Sequence, residues 1–195
     1  MWNHQLKYDI VLGSNSPRRK ELLAGLDIPF EVKTMPNVDE TYPPALQKEA
    51  IPIYLSVKKA NAYSRLMTDR TLLITADTIV WLEDRVFNKP ADEADAIQML
   101  RALSGKTHEV ITGVAVTTKE KQLTFHSVSK VTFAVLEEEE IHYYISKYKP
   151  YDKAGAYGVQ EWIGYVGVEQ LEGSFYNVMG LPVRMLYSYL KQIIF

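Results

Sequence analysis

Two adjacent arginines, Arg18 and Arg19, stand where a helix is expected to begin. They follow the segment Gly13-Ser14-Asn15-Ser16-Pro17, in which a serine N-cap and a proline at the first helical position predict a helix start. A helix dipole disfavours cations in the first turn, and a bound anion would remove that conflict. Exposed N–H groups and two guanidinium groups together make a phosphate site, which we favour over the alternative that both arginines point into solvent. The pattern is not a P-loop, because no Gly-Lys-Ser/Thr follows.

Carboxylates occur at two places where they could act on a metal ion or on water. Asp77 is predicted to end the apolar strand Leu72–Ala76, where a carboxylate is costly unless it is paired or binds a metal. It is either a metal ligand or general base, or a turn or cap aspartate before Thr78, and the sequence leaves both open. Asp39 and Glu40 lie on a proline-bounded loop, and we interpret them as a solvated acidic loop unless the fold brings them beside Asp77.

Lysines supply further candidate phosphate ligands. Lys58 and Lys59 lie on a predicted helix whose other face is apolar, which is also typical of a solvated face. Lys89 precedes Pro90 at the end of a predicted hairpin and could reach a phosphate. The histidines show no spacing typical of zinc sites.

Two glycine-containing segments could bring the backbone close to a ligand. The first spans residues 153–160, and the second spans residues 173–182 and leads into a helix. Either segment, taken alone, could be purely structural.

The hydrophobic pattern predicts a mixed α/β (α+β) fold, in which a curved mixed sheet has flanking helices and a cleft between two lobes. Strands are predicted at residues 10–12, 30–35 and 72–76, with hairpins at 79–88 and 108–136. Helices are predicted at residues 17–26, at 45–67 with a break or restart at Pro52, at 92–103, at 137–149 and from about 181 onward. No linker or internal repeat marks a boundary, so we expect one domain over residues 1–195.

The composition is that of a globular protein, with 47% hydrophobic and 24% charged residues. A formal net charge of -2 offers no broad attraction to a nucleic acid, so any phosphate site must be a local concentration of Lys and Arg. Disulfides and thiolate metal sites are excluded because the chain has no cysteine. No apolar run has the length of a signal-peptide core or a transmembrane helix, and we expect a cytoplasmic protein without membrane contact.

The motifs, taken in order, resemble those of the Maf family of nucleoside-triphosphate pyrophosphatases. The similarity spans nearly the whole chain. The matching segments are Ser14-Asn15-Ser16-Pro17-Arg18-Arg19, Ala76-Asp77-Thr78-Ile79-Val80, Lys89-Pro90, Ser104-Gly105-Lys106-Thr107-His108, Thr112-Gly113-Val114, Lys153 to Gln160, and the Gly-Leu-Pro turn at Gly180. Each motif is modest by itself, but their shared order along one chain is specific.

This resemblance implies hydrolysis of the α–β phosphoanhydride of a nucleoside triphosphate, which gives a monophosphate and pyrophosphate. It also implies a required divalent metal, Mg²⁺ or Mn²⁺, and a fold related to that of inosine triphosphatases. Matched motif to motif, Asp77 resembles the family's proton acceptor and Glu40 its loop carboxylate near the metal, which Asp77 would share. The remaining matches are the phosphate-side lysines Lys59 and Lys89 and the substrate-binding Ser14, Arg18 and Arg19.

The family also divides by nucleobase. The subgroup acting on dTTP and UTP carries Arg, Thr and Gln at three discriminating positions, which here are Arg18, Thr78 and Gln160. A Gln amide can offer both a donor and an acceptor to a uracil or thymine edge. Two positions depart from the family's pattern, since Gly13 stands where Ala is commoner and Thr75 where Gly is commoner.

Three alternatives compete with this interpretation. The same chemistry on a methylated GTP or a damaged nucleotide is disfavoured by Thr78 and Gln160. A cell-division regulator acting through protein contacts is disfavoured by the retained acid and base residues, although both roles could coexist. An RNA-binding module is disfavoured by the net charge and the lack of RNA motifs. The sequence leaves the oligomeric state open, with a homodimer as one option.

Overall fold

The computed structural model describes residues 6–36 and 38–194, and its chain divides into two compact units. The first unit contains the described residues of Met1–Asp77, Thr112–Ser127 and Gly180–Phe195, and the second contains Thr78–Ile111 and Val128–Met179. The N-terminal segment, predicted to lack a signal peptide, lies mostly outside the described residues. The single domain over residues 1–195 stays a prediction.

Strands of the described residues form one mixed, seven-stranded sheet in the order β2-β1-β3-β5-β6-β7, with β4 paired to β3. The strands are β1 (Asp9–Gly13), β2 (Glu31–Lys33), β3 (Thr71–Leu82), β4 (Arg85–Phe87), β5 (Thr107–Thr117), β6 (Gln122–Phe133) and β7 (Val168–Glu172). The β1 strand is parallel to β2 and β3, whereas β4 is antiparallel to β3 and β7 is antiparallel to β6. The predicted mixed sheet is therefore confirmed.

Helices connect these strands. They are α1 (Pro17–Ala24), α2 (Ala50–Ala62), α3 (Glu93–Leu103), α4 (Glu138–Tyr148), α5 (Trp162–Val166), α6 (Phe175–Met179) and α7 (Val183–Ile194), with 3₁₀ turns at Ser64–Leu66 and Ala154–Ala156. Parallel strand pairs need crossover connections, and α1 and α2 lie in the two crossovers that join β1, β2 and β3. Within the part of the chain that the structure describes, no helix is long and apolar enough to span a membrane.

In the first unit, α2 packs directly on the central strands. One buried cluster joins the end of α2 to the strands. It contains Ala60 and the C-cap Tyr63 together with Val11 of β1, Leu73 of β3 and Ala115 of β5. The approach is closest at Gly113 of β5, where an added Cβ would lie 2.4 Å from the Pro52 carbonyl carbon. A glycine at this place therefore lets the first turn of α2 lie against the sheet.

In the second unit, α3 and α4 supply the larger core. Ala96, Leu100 and Leu103 of α3 and Ile141, Tyr144 and Ile145 of α4 recur at helical spacing and are buried in one cluster. The α4 helix begins with a capping box between Glu137 and Glu140, and ends at Lys149 in the left-handed conformation. The predicted helix at residues 137–149 is confirmed.

Two predictions about local structure are wrong. The helix predicted over residues 45–67 begins only at Ala50, because Lys48 has a positive φ of 45° just before it. Of the break or restart predicted at Pro52, the structure is closer to the restart, because the helix begins at Ala50 and Pro52 lies in its first turn, where a backbone N–H needs no helical partner. The strand predicted to end before Asp77 instead continues to Leu82, because residues 80–82 pair with β4.

Candidate active site

Helix α2 and strand β3 are joined on one face by two polar contacts. Thr75 Oγ1 donates a hydrogen bond to the Ser56 carbonyl oxygen at 2.7 Å, and both residues are fully buried. Lys59 follows Ser56 by nearly one helical turn and therefore lies on the same face of α2. Asp77 follows Thr75 by one strand repeat and therefore lies on the same face of β3. The fold thereby brings a lysine and an aspartate together.

Lys59 joins two carboxylates. Its Nζ lies 2.5 Å from Asp77 Oδ1 and 2.9 Å from Glu40 Oε1. The Lys59 and Asp77 side chains are only 16% and 12% exposed, whereas Glu40 is 47% exposed on its loop. An aspartate in the middle of a strand is costly unless its charge is paired, and Lys59 supplies that charge. Asp77 is therefore neither a turn nor a cap residue.

The neighbouring Asp39 and Lys58 form a separate ion pair. Lys58 Nζ lies 2.7 Å from Asp39 Oδ2 and also donates to the Thr41 carbonyl oxygen at 2.8 Å. The Asp39 side chain is 60% exposed, so this pair resembles an ordinary surface ion pair. The adjacent residues of each pair therefore separate. Lys59 contacts both Glu40 and Asp77, whereas Lys58 contacts Asp39.

Arg19 reaches the same strand from helix α1. Its Nη1 donates to the Ala76 carbonyl oxygen and its Nε donates to the Gly180 carbonyl oxygen, both at 2.8 Å. Strand β1 pairs with β3 only as far as Ile74, so Arg19 satisfies a β3 carbonyl beyond that ladder. Burial lowers the pKa of Arg19, and the nearby carboxylate of Asp77 opposes that shift. Arg19 thus both holds the backbone beside Asp77 and places a positive charge there.

The segment before α1 is fixed by its own serines. Ser16 Oγ accepts the Arg19 backbone N–H at 3.4 Å, and Ser14 Oγ accepts the Ser16 N–H at 3.2 Å. The predicted serine N-cap and helix start are confirmed. Arg18 is half-buried in the first turn. The phosphate site assigned to this segment stays a prediction.

The other predicted site residues belong to the second unit. Thr78 follows Asp77 on β3, so its side chain points to the opposite face of the strand. Lys89 is exposed just after β4. Gln160 is half-buried at the end of the loop 153–160, and its Oε1 is a buried acceptor with no hydrogen-bond partner among the described residues. A buried, unpaired oxygen costs free energy that a ligand donor can recover.

Glu40 and Asp77 fit a hard divalent cation. Both present carboxylate oxygens within 2.9 Å of one cationic atom, Lys59 Nζ. The described residues contain no group of three or more His, Cys, Asp or Glu side chains that could hold a metal. Magnesium is commonly bound through one or two carboxylates together with substrate phosphates, and this pair matches that arrangement.

Comparison with known proteins identifies the family. A family profile described as "Maf-like protein" matches residues 9–193. The chain belongs to the Maf family. Proteins named dTTP/UTP pyrophosphatase are similar to it along their whole length. That of Bacteroides fragilis (strain YCH46) is 58% identical over 96% of this chain and 97% of its own. That of Phocaeicola vulgatus is 59% identical over 96% of this chain and 97% of its own. That of Porphyromonas gingivalis (strain W83) is 55% identical over 98% of this chain and 97% of its own.

Solved structures with the same fold include two Ham1 proteins. The Staphylococcus aureus Ham1 protein matches with a TM-score of 0.55 at 15% identity, over 95% of this chain and 99% of its own. The Coxiella burnetii HAM1 protein matches with a TM-score of 0.50 at 18% identity and the same coverage. At these identities the likeness concerns the fold alone, and it confirms the predicted fold class. The cleft between two lobes stays a prediction.

Gly13 and Thr75, the two positions expected to depart from the family's pattern, lie next to each other. An added Cβ at Gly13 would lie 2.9 Å from Thr75 Cγ2 and 3.1 Å from Leu73 Cδ1. Gly13 is not among the described glycines with a positive φ, so space and not backbone conformation favours glycine at this position. The larger residue at 75 thus occupies the volume that an alanine at 13 would need.

Sequence reasoning missed a polar network around the loop that carries Gln160. Tyr144 on α4 donates from its hydroxyl to Glu161 Oε2, and Glu161 Oε1 lies 3.1 Å from Lys153 Nζ. One signal was available, since a tyrosine on the apolar face of a helix needs a partner for its hydroxyl. The partner itself lies in a segment for which no element was predicted, where the structure has α5, β7 and α6.

Proposed function

We propose that this chain is a nucleoside-triphosphate pyrophosphatase that hydrolyses dTTP and UTP to the monophosphate and pyrophosphate. The main support is its full-length similarity to several proteins that all carry the name dTTP/UTP pyrophosphatase. Retention of the paired Lys59 and Asp77 supports a catalytic chain, because a purely structural strand would gain little from a buried carboxylate.

Asp77 is the proton acceptor of the reaction. The oxygen of a water molecule attacks the α-phosphorus, the bond from this phosphorus to the oxygen shared with the β-phosphate breaks and releases pyrophosphate, and the Asp77 carboxylate takes the proton of the water. Lys59 holds that carboxylate in place through their 2.5 Å contact. Its ammonium charge also limits the repulsion that an anionic substrate meets at the two carboxylates.

The remaining cations neutralise the triphosphate. Arg18 and Arg19 contribute guanidinium charge at the start of α1, where helix N–H groups also favour an anion. Lys89 contributes a further charge, and Ser14 shapes the loop that precedes the helix. Phosphoryl transfer depends mainly on positioning and charge neutralisation, which these residue types supply.

A divalent cation, Mg²⁺ or Mn²⁺, would be held by Glu40 and Asp77. When bound, it would neutralise phosphate oxygens and the developing charge of the leaving group. Both protein ligands are hard oxygen donors, which suit these two cations.

Gln160 recognises the nucleobase. Its buried Oε1, which lacks a partner in the described part of the chain, can accept the N3–H of uracil or thymine. Its amide N–H can donate to a neighbouring carbonyl oxygen of the same base. Cytosine presents no N3–H, so a site with this acceptor discriminates against it. Arg18 and Thr78 are the other two positions of the dTTP/UTP pattern, and a part for them in base recognition stays a prediction.

Pyrophosphate release from a panel of triphosphates tests the proposal. The panel contains UTP, dTTP, CTP, dCTP, ATP, GTP and N7-methyl-GTP, each assayed with Mg²⁺ and with Mn²⁺, and each product is separated by anion exchange. We expect the highest kcat/KM for UTP and dTTP, with monophosphate and pyrophosphate in equal amounts. A preference for a purine or N7-methylated triphosphate, or release of orthophosphate and a diphosphate, would refute the assignment.

A cytoplasmic location and a homodimer stay predictions. Fractionation of the cells that produce the protein tests the first, and analytical ultracentrifugation of the purified chain tests the second.

A further inference from the structure

We propose that Tyr144, Glu161 and Lys153 are positioning residues for base selection, which hold the loop 153–160 so that Gln160 meets the base at a fixed angle. This inference rests on the proposed function, because it needs Gln160 to read the base. The three side chains do not themselves contact the substrate in this assignment.

The three side chains form one continuous chain of contacts. Glu161 accepts from the Tyr144 hydroxyl with one carboxylate oxygen, and its other oxygen lies 3.1 Å from Lys153 Nζ. Lys153 Nζ also lies 2.8 Å from Asp152 Oδ1. The Lys153 and Glu161 side chains are 9% and 20% exposed, so the pair is largely removed from water. A buried pair of this kind is weak evidence for stability, but it can specify one geometry.

The same network holds the loop backbone two residues before Gln160. The Gly158 N–H donates to the Tyr144 hydroxyl oxygen at 3.0 Å, so this hydroxyl links the loop backbone to Glu161. Burial and the hydrogen bond to Glu161 raise the pKa of Tyr144, which keeps its hydroxyl protonated and able to donate. The phenol thus acts as donor and acceptor at once.

Gly158 lies between the two charged side chains. An added Cβ at this position would lie 2.9 Å from Glu161 Cδ and 3.1 Å from Lys153 Cε. The loop backbone therefore packs directly against the ion pair, with no room for a side chain. A shift of either charged group must move the loop or open a gap beside it.

Further backbone contacts fix the rest of the loop. The Gly155 N–H donates to the Asn88 carbonyl oxygen at 3.2 Å, and the Glu161 N–H donates to the Gly158 carbonyl oxygen at 2.9 Å. On the other side of Gln160, helix α5 approaches so closely that a Cβ at Gly164 would lie 1.8 Å from the Val159 carbonyl oxygen. The backbone on both sides of Gln160 is thus constrained, while its own Oε1 is left without a partner in the described residues.

A rigid loop around an unpaired acceptor is what selective recognition requires. Discrimination between uracil and cytosine depends on whether the acceptor is met or left unpaired, and a loop that can shift would relax that penalty. We therefore expect the network to affect the choice between bases more than the chemical step.

Tyr144→Phe is the most direct test, because it removes only the hydroxyl. The kcat/KM ratio of UTP to CTP should fall about tenfold, mainly through a higher KM for UTP, with kcat at saturation changed much less. Tyr143→Phe is the matched control. Its hydroxyl accepts from Lys147 Nζ at 2.7 Å on the exposed side of the same helix, and the ratio should not change.

A double-mutant cycle separates positioning from general destabilisation. In the Gln160→Ala background, Tyr144→Phe should have no further effect on the UTP to CTP ratio, because the residue being positioned is absent. Glu161→Gln, which keeps an acceptor for Tyr144 but loses the charge opposite Lys153, serves as a second variant if Tyr144→Phe does not fold. Melting curves identify a temperature at which each variant is folded.

An unchanged UTP to CTP ratio in folded Tyr144→Phe or Glu161→Gln overturns this inference, and so does an equal loss of selectivity with and without Gln160. The wild-type ratio is measured first, which separates the two hypotheses. If the wild-type protein does not prefer UTP or dTTP, the proposed function fails. If it does and the variants retain the preference, only the positioning role fails.

Discussion

Lys59 Nζ lies 2.5 Å from Asp77 Oδ1, so that a helix residue and a strand residue form a nearly buried ion pair. The adjacent Lys58 instead pairs with the exposed Asp39. Both lysines therefore pair with a carboxylate, but Asp77 is only 12% exposed whereas Asp39 is 60% exposed, which makes the two positions suitable for comparison.

Lys59→Met is expected to lower kcat/KM for UTP by about 10²-fold, because two carboxylates would then face an anionic substrate without the ammonium group. Lys58→Met removes the adjacent lysine of the same helix, which pairs with the exposed Asp39. An exposed ion pair contributes only roughly 0–1 kcal/mol to stability, so kcat/KM should change by no more than about threefold. Steady-state pyrophosphate release measures both. Equal losses in the two variants would contradict the assignment of Lys59.

Activity is expected to require a divalent cation, because Glu40 and Asp77 both contact Lys59 Nζ and so bring two hard oxygen donors near each other. Exhaustive chelation should abolish turnover, and Mg²⁺ or Mn²⁺ should restore it. Glu40→Gln should raise the metal concentration for half-maximal activity by at least about tenfold, since even outer-shell partners affect metal affinity by 10–100-fold. Asp39→Asn, on the same loop, is the control. Full turnover after chelation would exclude this role.

Gln160→Ala is expected to lower kcat/KM for UTP and dTTP much more than for CTP, because the truncated side chain no longer pairs with N3–H. The loss on Gln160→Ala should be similar for UTP and dTTP, since uracil and thymine present the same N3–H and carbonyl groups to the amide. Gln170→Ala, at an exposed position of β7, is the matched control. An equal loss for all substrates in Gln160→Ala would show that Gln160 does not read the base.

The contact between residues 13 and 75 predicts coupled stability effects. Gly13→Ala should destabilise the protein by about 1–3 kcal/mol, because its Cβ would lie 2.9 Å from Thr75 Cγ2. Thr75→Gly should also destabilise, since it removes the hydrogen bond to the Ser56 carbonyl oxygen. The double variant should lose less than the sum by at least about 0.5 kcal/mol. Urea unfolding measures each free energy, and additive effects would disprove the compensation.

Much of this fold follows from local sequence signals. The serine N-cap and first-turn proline of α1, the long β-branched runs of β5 and β6 and the acidic start of α4 each indicate an element that the structure contains. Those signals are short-range, because a cap or a repeat is contained within one element. The family resemblance added the functional candidates, which no single element identifies.

The failures of sequence reasoning have tertiary causes. A polar Asp77 after an apolar run has the same local pattern as a strand end, and only the pairing with β4 and the charge of Lys59 allow the strand to continue. The pairing of Tyr144 with Glu161 joins residues from separate elements, so no local pattern indicates it. Asp39 and Glu40 are adjacent in one loop, and only the fold determines that Glu40 pairs with Lys59 beside β3 whereas Asp39 pairs with Lys58.

The central claim is that Asp77 is the proton acceptor of a UTP and dTTP pyrophosphatase, and kcat for UTP in Asp77→Asn tests it most directly. Asp69→Asn, at an exposed carboxylate paired with Lys119, is the control. With circular dichroism and melting curves showing that both variants are folded, we predict kcat at least about 10²-fold below the wild type for Asp77→Asn and an unchanged kcat for Asp69→Asn. A folded Asp77→Asn variant that hydrolyses UTP at a near-normal rate would contradict the account.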